Sequence, residues 1–229
     1  MRQSGIVAGQ EGVSEPSLTE VLGGRRGALD AGLPAVAFVT AWAISGALRG
    51  GDATGPVLYG AGAAVLAGLV IAAIRLARGR RPAAVVLGLL GVVVAAVVVL
   101  RTGRAQDFFL LQIASNAASA LLWTASIVVR WPLLGVIVGL ALRQRTRWRA
   151  DPDLMRGYSR ASWVWVAQYL VRLAVFVPLY RADQVLALGI ARGLTWVPTL
   201  ICVGLSWPVM RTALPGDHPG IRYPRPRNG

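Results

Sequence analysis

Lysine is absent from these 229 residues: all 24 basic residues are Arg, set against 10 acidic ones. Cysteine and histidine occur once each, as Cys202 and His218. A lone cysteine excludes an intramolecular disulfide. One Cys with one His leaves no metal-ligand cluster of the usual kind. Charge is scarce, at 15% of residues, where soluble domains carry about 25%. Catalytic signatures are missing as well: there is no Walker loop, no G-x-S-x-G and no H-E-x-x-H. GAGAAV at 60–65 imitates part of a dinucleotide fingerprint, but it sits inside an apolar run with no strand before it. These absences argue against an enzyme, and no cofactor is expected.

What the chain has in excess is apolar sequence. Hydrophobic residues make up 55% of it and the mean hydropathy is +0.57. They are massed in blocks near the length of about 20 residues that crosses a hydrocarbon layer. The blocks predict an all-α polytopic transmembrane helix bundle with six spans. These are 28–48, 56–76, 83–100, 108–129, 161–180 and 184–210. The run at 131–142 is too short to cross, so it reads as an interfacial or re-entrant helix. Pro198 is a candidate kink in the sixth span. The expected organisation is a polar cytoplasmic segment at 1–27, a short helix near 16–22 within it, the membrane domain at 28–210, and a disordered basic tail at 211–229.

The net charge of +14 invites a nucleic-acid reading. The placement of the Arg residues favours orientation signals instead. With both termini inside, the inner segments hold eighteen Arg and the outer loops four. That asymmetry is a strong positive-inside signal. A full crossing at 131–142 would turn the Arg-rich stretch outward, so it is rejected. The localisation that follows is a bacterial plasma membrane, multi-pass. The expected partners are the bilayer and anionic lipids at its cytoplasmic face, where each Arg contributes about 1 kcal/mol.

Polar groups inside the spans are the candidate functional residues, because the bilayer makes them costly. Arg172 lies mid-span in the fifth segment and Arg192 lies about two turns into the sixth. Asp30 starts the first span and Asp107 the fourth. Gln112, Ser115, Asn116 and Ser119 share one helical face, and Gln168 with Arg172 makes a matching face four residues apart. Depth alone pairs Asp107 with Arg192, and Arg172 with Asn116 or Gln112. The candidate intramembrane polar network is therefore Asp30, Asp107, Gln112, Asn116, Gln168, Arg172 and Arg192. Most of the eight Trp fall toward span ends, as aromatic belts do, with Trp163 and Trp165 reading as interface anchors. Gly60, Ala64 and Gly68, with Gly88 and Gly91, allow close helix packing.

LDAGLPAVAFVTAWAISG, RTGRAQDFF, VVRWPLLGVIVGLAL and WVWVAQYLVRLAVFVPLY occur in this order. With Asp30, Pro34 and Phe38 in the first element, the order resembles an uncharacterised actinobacterial membrane-protein family, domain of unknown function 3159. That family is distantly similar to intracellular septation protein A. The resemblance implies a helical bundle and a role at the cell envelope, and it carries no catalytic residues. The expected function is a non-enzymatic membrane protein supporting envelope or division assemblies. The alternative is a small-solute transporter or channel with a polar cavity between spans four, five and six.

Overall fold

The computed structural model describes residues 24–49, 54–79, 82–144, 146–221 and 223–225. The polar start up to residue 23, with its expected short helix, lies outside the described residues. Helices dominate and there is no strand among the described residues. In chain order they are α1 (Gly24–Arg49), α2 (Thr54–Ala77), α3 (Pro82–Thr102), α4 (Leu110–Val128), α5 (Leu133–Ala141), α6 (Pro152–Arg181), α7 (Val185–Gly193) and α8 (Trp196–Arg211). Two short 3₁₀ turns, Ala105–Phe109 and Arg147–Ala150, precede α4 and α6.

Among the described residues, five stretches are long and apolar enough to cross a membrane: Gly55–Ala77, Val85–Thr102, Ala105–Val128, Pro152–Arg181 and Val185–Arg211. The described apolar part of α1 is shorter, Gly32–Leu48. Large apolar side chains face outward along these helices; Leu48, Leu87, Leu121 and Val128 are each 70% exposed or more. Such a surface is at home in hydrocarbon and not in water. α5 has nine residues, which at about 1.5 Å each is less than half a bilayer core. The short run at 131–142 therefore does not cross as a straight helix. α6 has 30 residues and begins at Pro152, nine before the expected start at 161. It is long enough to project beyond the hydrocarbon at the end holding Arg156 and Arg160.

Small residues set the closest crossings. A Cβ on Gly60 would stand 3.0 Å from the Phe38 ring, so α1 and α2 touch backbone to ring. One on Gly189 would meet Val39 at 2.8 Å, which seats α7 against α1. Phe38, Phe108 and Phe109 fill the space between, with Phe38 and Phe108 stacked at 4.2 Å. Gly88 has open space where its Cβ would go. It lines a cleft and packs no helix.

Helix ends explain where the chain turns. Gly79 and Gly103 take positive φ after α2 and α3, as a glycine readily does. α4, α5 and α6 end in the same left-handed way, but at Arg130, Arg143 and Asp183. The double hydrogen-bond signature is present each time, as in Trp131 N to Ser126 O at 2.8 Å with Arg130 N to Ile127 O at 3.0 Å. α7 and α8 are parts of one span broken at Leu194–Thr195. Pro198 causes the break: it has no N–H for the Leu194 carbonyl and its ring crowds that oxygen. Val197 N takes over as the donor, at 3.0 Å.

The tail departs from the expected disorder. Leu214 and Ile221 pack against a buried cluster of Trp148, Leu154, Tyr158 and Met210, and Gln144 donates to the Ile221 carbonyl at 2.8 Å. Apolar anchors spaced among its prolines give this segment a surface to bury. Residues 226–229 lie outside the described residues.

Candidate functional site

Intramembrane polar groups separate into three places. At the end away from the Arg-rich stretch, Asp107 is buried in the 3₁₀ turn and accepts from the Tyr180 hydroxyl at 2.6 Å. The depth-based pairing of Asp107 with Arg192 is thus replaced by one with Tyr180. Beside it, Asp183 accepts from Gln106 and from Arg104, the latter at 3.4 Å. This ties the α6–α7 turn to the loop after α3.

The second place is the break between α7 and α8. Arg172 donates to the Thr195 carbonyl at 2.5 Å and to the Thr199 hydroxyl at 2.6 Å. With its amide oriented to suit its neighbours, Gln168 donates from nitrogen to the Pro198 carbonyl at 3.2 Å and accepts from Arg172 at 3.1 Å. Gln168 and Arg172 lie side by side on α6. Their partners lie on α8, however, and not on α4. The break brings the Thr195 carbonyl within reach of α6, and a guanidinium with several donors takes it together with the Thr199 hydroxyl. Gln112 and Asn116 bond to each other at 3.3 Å. The Asn116 Nδ2 and Arg172 Nε atoms are buried without a hydrogen-bond partner among the described residues. The side chain of Asp30 lies outside the described residues.

The third place is a cleft of about 350 Å³ among α2, α3, α4 and the end of α7. Arg192, Arg75, Gln112 and Ser115 bring polar groups to walls that are otherwise apolar. Arg192 makes no hydrogen bond to the Arg172 network, although the two cations are near enough to repel.

A fourth constellation lies outside the spans and was not singled out from sequence. Asp151 is 1% exposed in its side chain, as His218 is 2%. One carboxylate oxygen accepts from Asp153 N and Leu154 N at 3.0 and 3.1 Å, capping α6. The other accepts from His218 Nε2 at 2.9 Å and Arg225 N at 2.8 Å. The Gly220 N–H points at His218 Nδ1, 3.0 Å away, so Nε2 carries the proton donated to Asp151. Burial would raise the Asp151 carboxyl. The hydrogen bonds from Arg225, His218, Leu154 and Asp153 outweigh it and hold the group below its ordinary 3.8. The only sequence signal was Asp-Pro before an apolar run, a helix-start pattern.

Tryptophans divide evenly. Trp131, Trp163, Trp196 and Trp207 are exposed, as belt residues are. Trp148 is buried over Gly135, and Trp165 stacks on Trp123 at 5.1 Å while donating to Ser206 at 3.0 Å. Trp165 is thus a packing residue where an interface anchor was expected. Among the described residues no group of three His, Cys, Asp or Glu is placed to hold a metal ion.

Helices of this length, with large apolar side chains facing outward, define a multi-pass α-helical integral membrane protein. The chain belongs to the family described as protein of unknown function (DUF3159), whose model matches residues 22–217. No curated protein and no solved structure matches it.

Proposed function

We propose that the chain is a six-span, non-enzymatic protein of the plasma membrane with both termini cytoplasmic. It supports envelope or division assemblies through helix and loop contacts. α1 supplies the sixth crossing, and the Arg distribution sets the orientation. The observation that carries the reading is the closure of the Arg172 network on Thr195, Thr199 and Gln168. A guanidinium so occupied fixes the position of the broken sixth span and leaves little for a passing solute. The Arg-rich end, with the docked tail, offers the contact surface.

The test is Arg172→Leu. The structural reading expects the protein to be depleted from membranes or destabilised. Normal abundance and stability with a lost flux of some solute would overturn it in favour of a transporter. That second reading, a path lined by Asn116, Arg172 and Arg192, draws support from the cleft at Arg192 and from a separate one of about 370 Å³ beside Arg172.

A further inference from the structure

The cleft beside Arg192 joins three properties that together specify a ligand. First, its polar groups are cationic or neutral: Arg192, Arg75, Gln112 and Ser115, with no acidic side chain among the described residues that line it. The Arg192 guanidinium makes no hydrogen bond and no ion pair to a described residue. Arg172, its repelling neighbour, is held by neutral groups alone. Among the described residues these two intramembrane cations thus stand without a carboxylate, in a medium where uncompensated charge costs several kcal/mol. The carbonyl end of α7 offsets part of this, since cations are favoured near helix C-termini.

Second, the rest of the lining is hydrocarbon-like, from Ile71, Ala72, Val85, Leu89 and Val92, with Phe108 and Phe109. A free inorganic anion would leave those walls without a partner. Third, the cleft opens sideways. Gly88 lines it and is itself exposed on α3, next to Leu87, which is 71% exposed to the lipid side. A volume of about 350 Å³ takes a headgroup and the start of one hydrocarbon chain, the remainder lying along the outside of α3.

We infer that this cleft binds a membrane lipid bearing an anionic phosphate headgroup, with the phosphate at Arg192 and a hydrocarbon chain against α3. This stands on the cleft alone and is independent of the envelope reading.

The experiment uses the full chain purified in zwitterionic detergent, with phosphatidylglycerol, phosphatidylcholine and inorganic phosphate as probes read by native mass spectrometry. The wild-type protein is expected to retain one phosphatidylglycerol about tenfold more tightly than phosphatidylcholine. Arg192→Gln removes that preference, and Arg192→Lys keeps most of it. Gly88→Leu fills the opening without a clash and weakens both lipids. Arg147→Gln, which alters exposed basic surface away from the cleft, leaves the preference intact. Equal retention of the two lipids, or indifference to Arg192→Gln, would overturn the inference. Displacement by inorganic phosphate at the lipid's own concentration would overturn the lipid in favour of a free anion. Should Arg192→Gln not accumulate, Arg192→Lys and Gly88→Leu still decide the matter.

Discussion

Asp151 is the residue on which the Arg-rich end turns. It accepts four hydrogen bonds while nearly excluded from solvent. Asp151→Ala removes a helix cap and leaves the His218 and Arg225 donors buried without acceptors, a loss of about 2–4 kcal/mol. Thermal unfolding in detergent reads the loss. The acid response follows from the lowered carboxyl. A group depressed on folding stabilises fully above its unfolded value of about 3.9 and loses that contribution as pH falls through the folded value. The tail is therefore expected to stay docked at neutral pH and to release only below about pH 4. Hydrogen exchange over residues 217–225 at pH 3 and pH 7 measures this, and release already at pH 6 would contradict it. Arg130 gives the opposite kind of prediction. It holds a left-handed φ of 56° on an exposed helix end, so Arg130→Gly is expected to stabilise by about 1 kcal/mol.

Elements were legible wherever hydropathy carried the signal, and illegible where a tertiary contact did. The six apolar blocks each appear as helix, and the short run at 131–142 appears as the nine-residue α5. The C-terminal ends of α4, α5 and α6 fall at 128, 141 and 181, within a residue of the apolar blocks, whereas the start of α6 at Pro152 lies outside its block. The left-handed turns at Arg130, Arg143 and Asp183 were not legible, because glycine usually marks that conformation. Pro198 pointed to the break in the last span, because a missing N–H acts through local geometry. Its consequence, carbonyls offered to Arg172 on another helix, required knowing which helices touch. The Gln168–Arg172 face was readable from its spacing, whereas its partners and the Asp107–Tyr180 bond were not. The tail's docking was hidden because composition rich in Pro and Arg reads as disorder, while a few apolar anchors decide the matter. Gly135 shows how tight one such contact is. A Cβ there would stand 2.8 Å from Trp148. Gly135→Leu is expected to detach α5 from the buried Trp148 cluster at a cost of about 1–3 kcal/mol, seen as a loss of Trp148 burial in fluorescence.

At the scale of the whole molecule, the two ends of the bundle differ in chemistry. One carries Arg104, Gln106, Asp107 and Asp183 in a compact polar lock. The other carries α5, the docked tail and most of the Arg. The proposed orientation is tested by cysteine labelling. The native Cys202 is buried, so Asp183→Cys and Asp217→Cys act as reporters. A membrane-impermeant reagent added to intact cells is expected to label the first, and the second only after permeabilisation. Labelling in the reverse order would invert the topology.

The reach of Arg172 also dictates an order of events during synthesis. Its partners Thr195 and Thr199 follow it by 23 and 27 residues. When α6 first meets the lipid, only Gln168 on its own helix can meet the guanidinium near its middle, where a cation costs about 2.5–3.5 kcal/mol at insertion. The rest of that penalty is relieved once α8 has been made. Entry of the last two crossings as a hairpin is therefore favoured over entry one by one.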